Sequence, residues 1–138
     1  MIAAIRDVDL AMQISRSRFA HLQRINPHDT LVISALAAAG GPARPREIAQ
    51  SLRITSGTLT TMIDRLEAAG LVHRQPNPKD RRSILLALTD EGARTVEQWA
   101  GELGAAVAVA IPADDHERFL ECMRDVASAI RDVGDERR

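Results

Sequence analysis

The sequence predicts a mainly α-helical fold with one small β-hairpin, and three observations lead to this expectation. Apolar residues recur at steps of three and four along several stretches, which is the periodicity of amphipathic helices. Residues 71–88 instead combine two short β-prone runs around a turn rich in Pro, Asn and Asp. Gly and Pro fall between these stretches, where they end helices.

The composition indicates one packed domain that can meet nucleic acid. Of 138 residues, 45% are hydrophobic and only 2% are aromatic, so we expect an aliphatic core. No apolar run approaches the roughly 20 residues that span a bilayer, and charges interrupt the N-terminal stretch, so we expect a cytoplasmic protein without membrane contact. The net charge is −1, but residues 42–82 carry eight basic and four acidic side chains. A local basic region of this kind favours contact with phosphates.

The first helix is predicted to end at Asn26-Pro27, because the residue before proline avoids the helical backbone conformation. Its apolar residues have heptad-like spacing: Ile5, Val8, Met12, Phe19 and Leu22. Asn26 is then expected to cap a second helix that has Pro27 at its first position and stops at Gly40-Gly41-Pro42. Its apolar side is predicted to be Leu31, Ile33, Leu36 and Ala37.

Two short helices joined by a tight turn at Arg53-Ile54 are predicted next. Pro45 opens the first, which runs to about Leu52 and has an apolar face of Ile48, Ala49 and Leu52. Thr55 or Ser56 is expected to cap the second, which ends at Gly70 in the left-handed conformation. The buried stripe of this second helix is Leu59, Met62, Ile63 and Leu66.

A β-hairpin follows, with strands predicted at 71–75 and 83–88 and a long basic loop between them. Pro76 and Pro78 are expected to lie in this loop, where they remove no ladder hydrogen bond. The loop carries Lys79, Asp80, Arg81 and Arg82. Helices and hairpin in this order form a winged helix-turn-helix, in which a helix enters the major groove of DNA and the hairpin reaches the minor groove or backbone.

The second helix of this pair carries the predicted DNA-reading face. Its exposed positions are small or hydroxyl-bearing: Ser56, Gly57, Thr58, Thr60 and Thr61, with Arg65 further along. Hydroxyls bond phosphates or base edges, and Gly57 permits close approach. Phosphates would repel Asp64, so we expect it to pair with and orient Arg65 or Arg82. The alternatives are an ordinary solvated face and a solvated carboxylate.

Two helices complete the chain. Thr89 is expected to cap the first, whose positive end is complemented by Asp90 and Glu91. Its apolar face is Val96, Trp99, Leu103, Ala106 and Ala110. Pro112 ends it, and Asp114 or Asp115 starts a last helix. The apolar face of that helix is Phe119, Cys122, Met123, Val126, Ile130 and Val133.

Residues 46–92 resemble the central region of MarR-family regulators. The resemblance is carried by Asp80-Arg81-Arg82, by Leu88-Thr89 followed three residues on by Gly92, and by the RLEAAGLVHR junction at residues 65–74. It implies a homodimer on a pseudo-palindromic double-stranded DNA site, with residues 1–25 and 93–138 as dimerisation helices and 27–92 as the DNA-binding region. The apolar stripes at both ends agree, since a monomer of this size buries them with difficulty.

The resemblance further implies that Arg82 enters the minor groove, held by Asp80, and that a small-molecule effector releases a repressor from its operator. We expect no cofactor and no metal, because His21, His28, His73 and His116 lack zinc-ligand spacing. The single cysteine is expected to be a small buried hydrophobe rather than a redox switch.

Two other classes of function were weighed. A Gly-rich phosphate loop, an HExxH motif and a nucleophile elbow are all missing from the sequence, so we do not expect an enzyme. The near-neutral net charge favours the alternative of a winged-helix protein-interaction module without specific DNA binding.

Overall fold

A computed structural model describes residues 2–133, apart from the side chains of Arg81, Arg131 and Val133. The elements in chain order are α1 (Ile2–Gln23), α2 (Thr30–Ala39), α3 (Pro45–Leu52), α4 (Ser56–Ala68), β1 (Val72–Asn77), β2 (Asp80–Leu88), α5 (Asp90–Ala110) and α6 (His116–Val133). The chain divides into two compact units, one ending at Trp99 and the other beginning at Ala100. The mainly helical fold with one hairpin is confirmed.

The core of the first unit lies where α2, α3, α4 and the hairpin meet. The predicted stripe of α4 is buried in full, and α3 contributes Ile48 and Ala49. The other deeply buried side chains are Val32, Ile33, Leu36, Leu71, Val72 and Leu86. Phe19 of α1 stacks on Trp99 of α5 with ring centroids 4.7 Å apart, and the Trp99 Nε1 donates to Ser15 Oγ at 2.9 Å. Burial of each large apolar side chain contributes about 1.5–3 kcal/mol, so this cluster fixes how α4 sits in the unit.

The start of α2 differs from the prediction. Asn26 does act as a cap, accepting the His28 N–H at 2.9 Å, but the turn that it opens at Pro27–Asp29 is a 3-10 helix. The α-helix begins only at Thr30, and its buried side includes Val32 in place of Leu31 and Ala37. The buried positions continue the stripe of Asp29, which is fully buried. Because the first buried position of this stripe is a charged residue, the apolar residues alone did not show which side of α2 is buried.

The hairpin was predicted with strands that are too short. Asp80, Arg81 and Arg82 belong to β2, and only Pro78-Lys79 separates the strands. Pro76 lies in β1 opposite Ile84, so the expectation that both prolines lie in a loop is wrong. The register shifts between Pro76 and Asn77, which leaves an irregularity in β2 at the tip. An edge strand tolerates proline, and a bulge increases local twist.

The base of the hairpin is fastened to its neighbours by short backbone contacts. Ala43 and Leu86 exchange two backbone hydrogen bonds of 2.9 Å. Thr89 caps α5 as predicted, accepting the Gly92 N–H at 2.9 Å, and it donates to the Gly70 carbonyl at 2.7 Å. A Cβ on Gly92 would lie 2.0 Å from the Leu71 carbonyl oxygen, so only glycine fits there. The predicted left-handed Gly70 is confirmed, with φ of 73°.

The second unit consists of the end of α5, a 3-10 turn at Ala113–Asp115, and α6. Cys122 is exposed in the single chain, so the expectation that it is buried is wrong. The physical reason is that the apolar side chains of α6 around it are exposed, among them Leu120, Met123, Val126 and Ile130. Within the described range, no helix combines the length and apolarity needed to cross a membrane.

Candidate nucleic-acid interface

The N-terminal half of α4 brings five of the predicted site residues onto an exposed surface. Ser56, Gly57, Thr58, Thr60 and Thr61 are all exposed, while the other side of the helix is buried in the core. Thr55, the residue before them, is the N-cap and accepts the Thr58 N–H at 3.1 Å, which selects it over Ser56. Free N–H groups in this first turn attract anions.

Two threonine hydroxyls of this face, those of Thr60 and Thr61, donate their protons within the helix. Thr60 Oγ1 donates to the Ser56 carbonyl at 2.8 Å, and Thr61 Oγ1 donates to the Gly57 carbonyl at 3.2 Å. A hydroxyl that donates its proton still has oxygen lone pairs to accept with. At Thr60 and Thr61 the face therefore offers acceptors and methyl groups, which suit base amino groups and the thymine methyl better than they suit phosphate.

Gly57 is not required by the fold. Its backbone lies in an ordinary helical conformation, and a Cβ placed on it would meet nothing closer than Thr55 Oγ1, at 3.9 Å. Glycine within a helix costs about 0.5–1 kcal/mol relative to alanine. The packing of α4 therefore gives no reason for glycine at this position.

Arg65 is engaged by a buried acid rather than presented freely to solvent. Its Nε donates to Asp29 Oδ2 at 2.8 Å and a terminal nitrogen donates to Oδ1 at 2.6 Å. The Asp29 side chain is 0% exposed and that of Arg65 is 44% exposed. These hydrogen bonds raise the pKa of the Arg65 guanidinium above its ordinary value. The pair joins the middle of α4 to the turn before α2.

Asp64 pairs with an arginine, but with neither of the two that the sequence suggested. Its Oδ1 accepts from a terminal nitrogen of Arg74 in β1 at 2.7 Å. Arg74 also contacts Glu67 through another guanidinium nitrogen, and its backbone N–H donates to Glu67 Oε1 at 2.8 Å. Arg65 is instead committed to Asp29, and Arg74 is closer in the fold because β1 returns along α4. The hydrogen bond to Asp64, foremost, raises the pKa of Arg74.

The hairpin tip carries the predicted wing residues. Lys79 and Arg82 are exposed, and the Asp80 carboxylate accepts the backbone N–H of Arg82 at 3.1 Å. This hydrogen bond between Asp80 and Arg82 thus restrains the backbone of Arg82 and not its guanidinium group. Asn77 stiffens the same turn, accepting the Lys79 N–H at 3.0 Å and donating to Ser83 Oγ at 2.9 Å. The Arg81 side chain lies outside the described residues.

Three residues of this region were missed from the sequence: Asp29, Glu67 and Arg74. The spacing of Asp29 from Val32, Ile33 and Leu36 repeats the steps of three, four and seven, and it could have indicated a buried carboxylate in need of a partner. Nothing local indicates the pairing of Arg74 with α4, because it depends on how the hairpin returns. Among residues 2–133, no three His, Cys, Asp or Glu side chains are grouped as metal ligands.

Comparison with known proteins gives concordant matches. The MarR family model matches residues 25–84. The HTH-type transcriptional regulator PecS of Dickeya dadantii is 32% identical over 104 residues, which cover 74% of this chain and 63% of that protein. A crystal structure of a mutant MarR from E. coli complexed with operator DNA has a TM-score of 0.61 at 26% identity, covering 90% of this chain and 91% of that one.

Residues 25–84 form a domain of the MarR family. A MepR mutant from an S. aureus clinical isolate has a TM-score of 0.78 over 93% of this chain and 95% of its own, but at 18% identity it shows the fold alone. The winged-helix fold predicted from the sequence is confirmed by these neighbours. The match spans less than two thirds of the length of the PecS regulator.

Proposed function

We propose that this chain is a sequence-specific DNA-binding transcriptional regulator. The observation that carries the proposal is the exposed face of α4, which is formed by Gly57 and the flanking hydroxyl residues. The packing of the helix does not require glycine at position 57. The hairpin tip beside it supplies cations at Lys79 and Arg82. A helix of this kind fits the major groove, and arginine on a hairpin tip reads a narrow minor groove.

The proposal includes a homodimer that acts as a repressor. In the first unit, α1 leaves Ile5 60% and Val8 62% exposed on one face; in the second, α6 leaves Met123 42%, Val126 44% and Ile130 67% exposed on one face. Contiguous apolar surface of this extent on a helix calls for a partner. A second copy of the chain is the partner proposed, since two-fold symmetry would present two α4 helices to a pseudo-palindromic site. The MarR relative with operator DNA supports the DNA partner.

The test is selection of genomic DNA fragments by the purified protein, run in parallel for wild type and Arg82→Ala. Arg94→Ala is the matched control, because Arg94 is an exposed arginine on α5 whose partner is Glu91. Wild type and the control should enrich the same few sites, and Arg82→Ala should enrich those sites less strongly. An absence of enrichment by folded protein at low salt would favour the alternative of a protein-interaction module.

A small-molecule effector is part of the proposal, and an apolar groove of the first unit is suited to it. The groove has a volume of about 530 Å³ and lies between α2, β2 and α5. Its lining includes Leu36, Ala87, Leu88 and Val96, with Glu97 as its charged member. Ala37→Phe, at an exposed lining position, should block ligand quenching of Trp99 fluorescence while leaving DNA binding intact. Quenching that persists would place the ligand elsewhere.

A further inference from the structure

The end of α4 and the first strand of the wing are joined by Arg74, whose contacts are more specific than a single surface ion pair. Its guanidinium bridges Asp64 and Glu67, two carboxylates three residues apart on one helix. Its backbone N–H also donates to Glu67 at 2.8 Å. Three donors of one strand residue therefore bind three oxygens on two carboxylates of the helix, and they restrain the direction of β1 as well as its distance.

A contribution to folding stability does not by itself explain the ion pairs of Arg74 with Asp64 and Glu67. The side chains of Asp64, Glu67 and Arg74 are 61%, 30% and 32% exposed. Ion pairs at such exposure usually contribute little to folding. A planar guanidinium that reaches two carboxylates in a fixed fork is, however, strongly directional. Only residues 69–71 connect α4 to β1, and this fork adds a direct side-chain contact between the two elements beyond that short connection.

We propose that Arg74 is a positioning residue that fixes the wing relative to α4, so that the two DNA-contacting elements bind as one preorganised unit. The inference rests on the proposed function. A wing free to swing would lose conformational freedom on binding DNA, and that loss would offset the contact made by Arg82. Arg74 itself need not touch DNA, because Asp64 and Glu67 occupy its guanidinium.

The test is a double-mutant cycle between residues 74 and 82, whose partners in the structure are different. The probe is a fluorescein-labelled duplex carrying the site recovered by the genomic selection. Arg82→Ala should weaken binding of the wild-type protein by roughly tenfold or more. In the Arg74→Met background, the same change should weaken it by less than about threefold, because the wing no longer docks in register.

Controls separate positioning from loss of fold or of charge. Arg94→Met removes an ion-paired arginine of α5, and the effect of Arg82→Ala should stay the same in its background. Asp64→Asn weakens the fork from the helix side without removing any cation, so it should also diminish the effect of Arg82→Ala. If the two substitutions are independent, their free-energy changes add and their fold-changes in affinity multiply. Such a result for Arg74 and Arg82 would overturn the proposal.

A measurement without DNA distinguishes failure of this inference from failure of the proposed function. Amide hydrogen exchange in the hairpin should become about two- to tenfold faster in Arg74→Met, whereas exchange in α3 stays as in wild type. Unchanged exchange in the hairpin would overturn the positioning role even if DNA binds. If Arg74→Met does not fold, Glu67→Gln, which keeps the arginine and weakens one arm, takes its place in both experiments.

Discussion

Replacing Arg65 by Met should destabilise the protein far more than replacing its partner Asp29 by Asn, although both changes break the same ion pair. The asymmetry follows from burial, because Asp29 is 0% exposed and Arg65 is 44% exposed. Arg65→Met removes both donors from a carboxylate that water does not reach. Breaking a buried pair in this way costs roughly 3–5 kcal/mol of the free energy of unfolding.

Asp29→Asn leaves a milder defect. The asparagine carbonyl still accepts one hydrogen bond, and the guanidinium that loses the other already reaches solvent. The expected cost is about 1–2 kcal/mol, the range for one hydrogen bond to a charged group discounted for exposure. In the double variant Arg65→Met with Asp29→Asn, no uncompensated charge stays buried, so its stability should exceed that of Arg65→Met alone.

The assay is urea unfolding of each variant at one fixed protein concentration, because dimerisation would couple stability to concentration. Arg94→Met is the control for loss of an arginine from an exposed pair, and its midpoint should match the wild type. Equal losses for Arg65→Met and Asp29→Asn, or a larger loss for Asp29→Asn, would refute the assignment of Asp29 as a buried charge that depends on Arg65.

Three further changes test other parts of the molecule. Gly57→Ala should keep or raise the urea midpoint, since alanine favours helix by up to about 1 kcal/mol, yet weaken binding to the selected duplex; unaltered binding would remove Gly57 from the interface. Gly92→Ala should cost at least about 1–3 kcal/mol, since its Cβ would meet the Leu71 carbonyl 2.0 Å away, and an unchanged midpoint would contradict this packing. Val126→Asp should convert the proposed dimer to monomer in sedimentation velocity; an intact dimer would exclude the face of α6.

Periodic features of the sequence were sufficient to place the helices. The stripe of α4 from Leu59 to Leu66 is buried throughout, and the boundaries at Thr55 and Gly70 follow from local chemistry at each helix end. These features depend only on residues within one or two turns of each other. That is why the exposure of Ser56, Gly57, Thr58, Thr60 and Thr61 could also be predicted from the sequence, whereas their role in DNA binding stays a prediction.

Features that depend on distant residues could not be read in the same way. The hairpin was given a long loop because Pro76 and the charges at 80–82 are typical of turns, whereas the strands pair through them. The partner of Asp64 was sought at Arg65 and in the wing tip, because only the fold shows that β1 brings Arg74 alongside. The burial of Cys122 was expected from spacing alone, but a helical stripe shows which residues share a face and not what covers it.

The charges of α4 indicate that this helix and the wing would make different kinds of contact with DNA. All three of its charged residues, Asp64, Arg65 and Glu67, are engaged in ion pairs within the chain. Residues 56–61 include no ionised side chain, and the hydroxyl protons of Thr60 and Thr61 are donated to the helix backbone. Electrostatic attraction to phosphates would then come from other elements, such as the wing with Lys79 and Arg82.

This division has a measurable signature. Each phosphate neutralised contributes about −0.9 to the slope of log affinity against log salt. Arg82→Ala or Lys79→Ala should therefore make that slope shallower, whereas Thr60→Val should change which sites are preferred and leave the slope as it is. Because valine keeps the methyl group of threonine and replaces its hydroxyl by a second methyl of similar size, a shift of preference in Thr60→Val would trace base reading to the hydroxyl oxygen. A slope that changes with Thr60 would instead mean that α4 lies against the phosphate backbone.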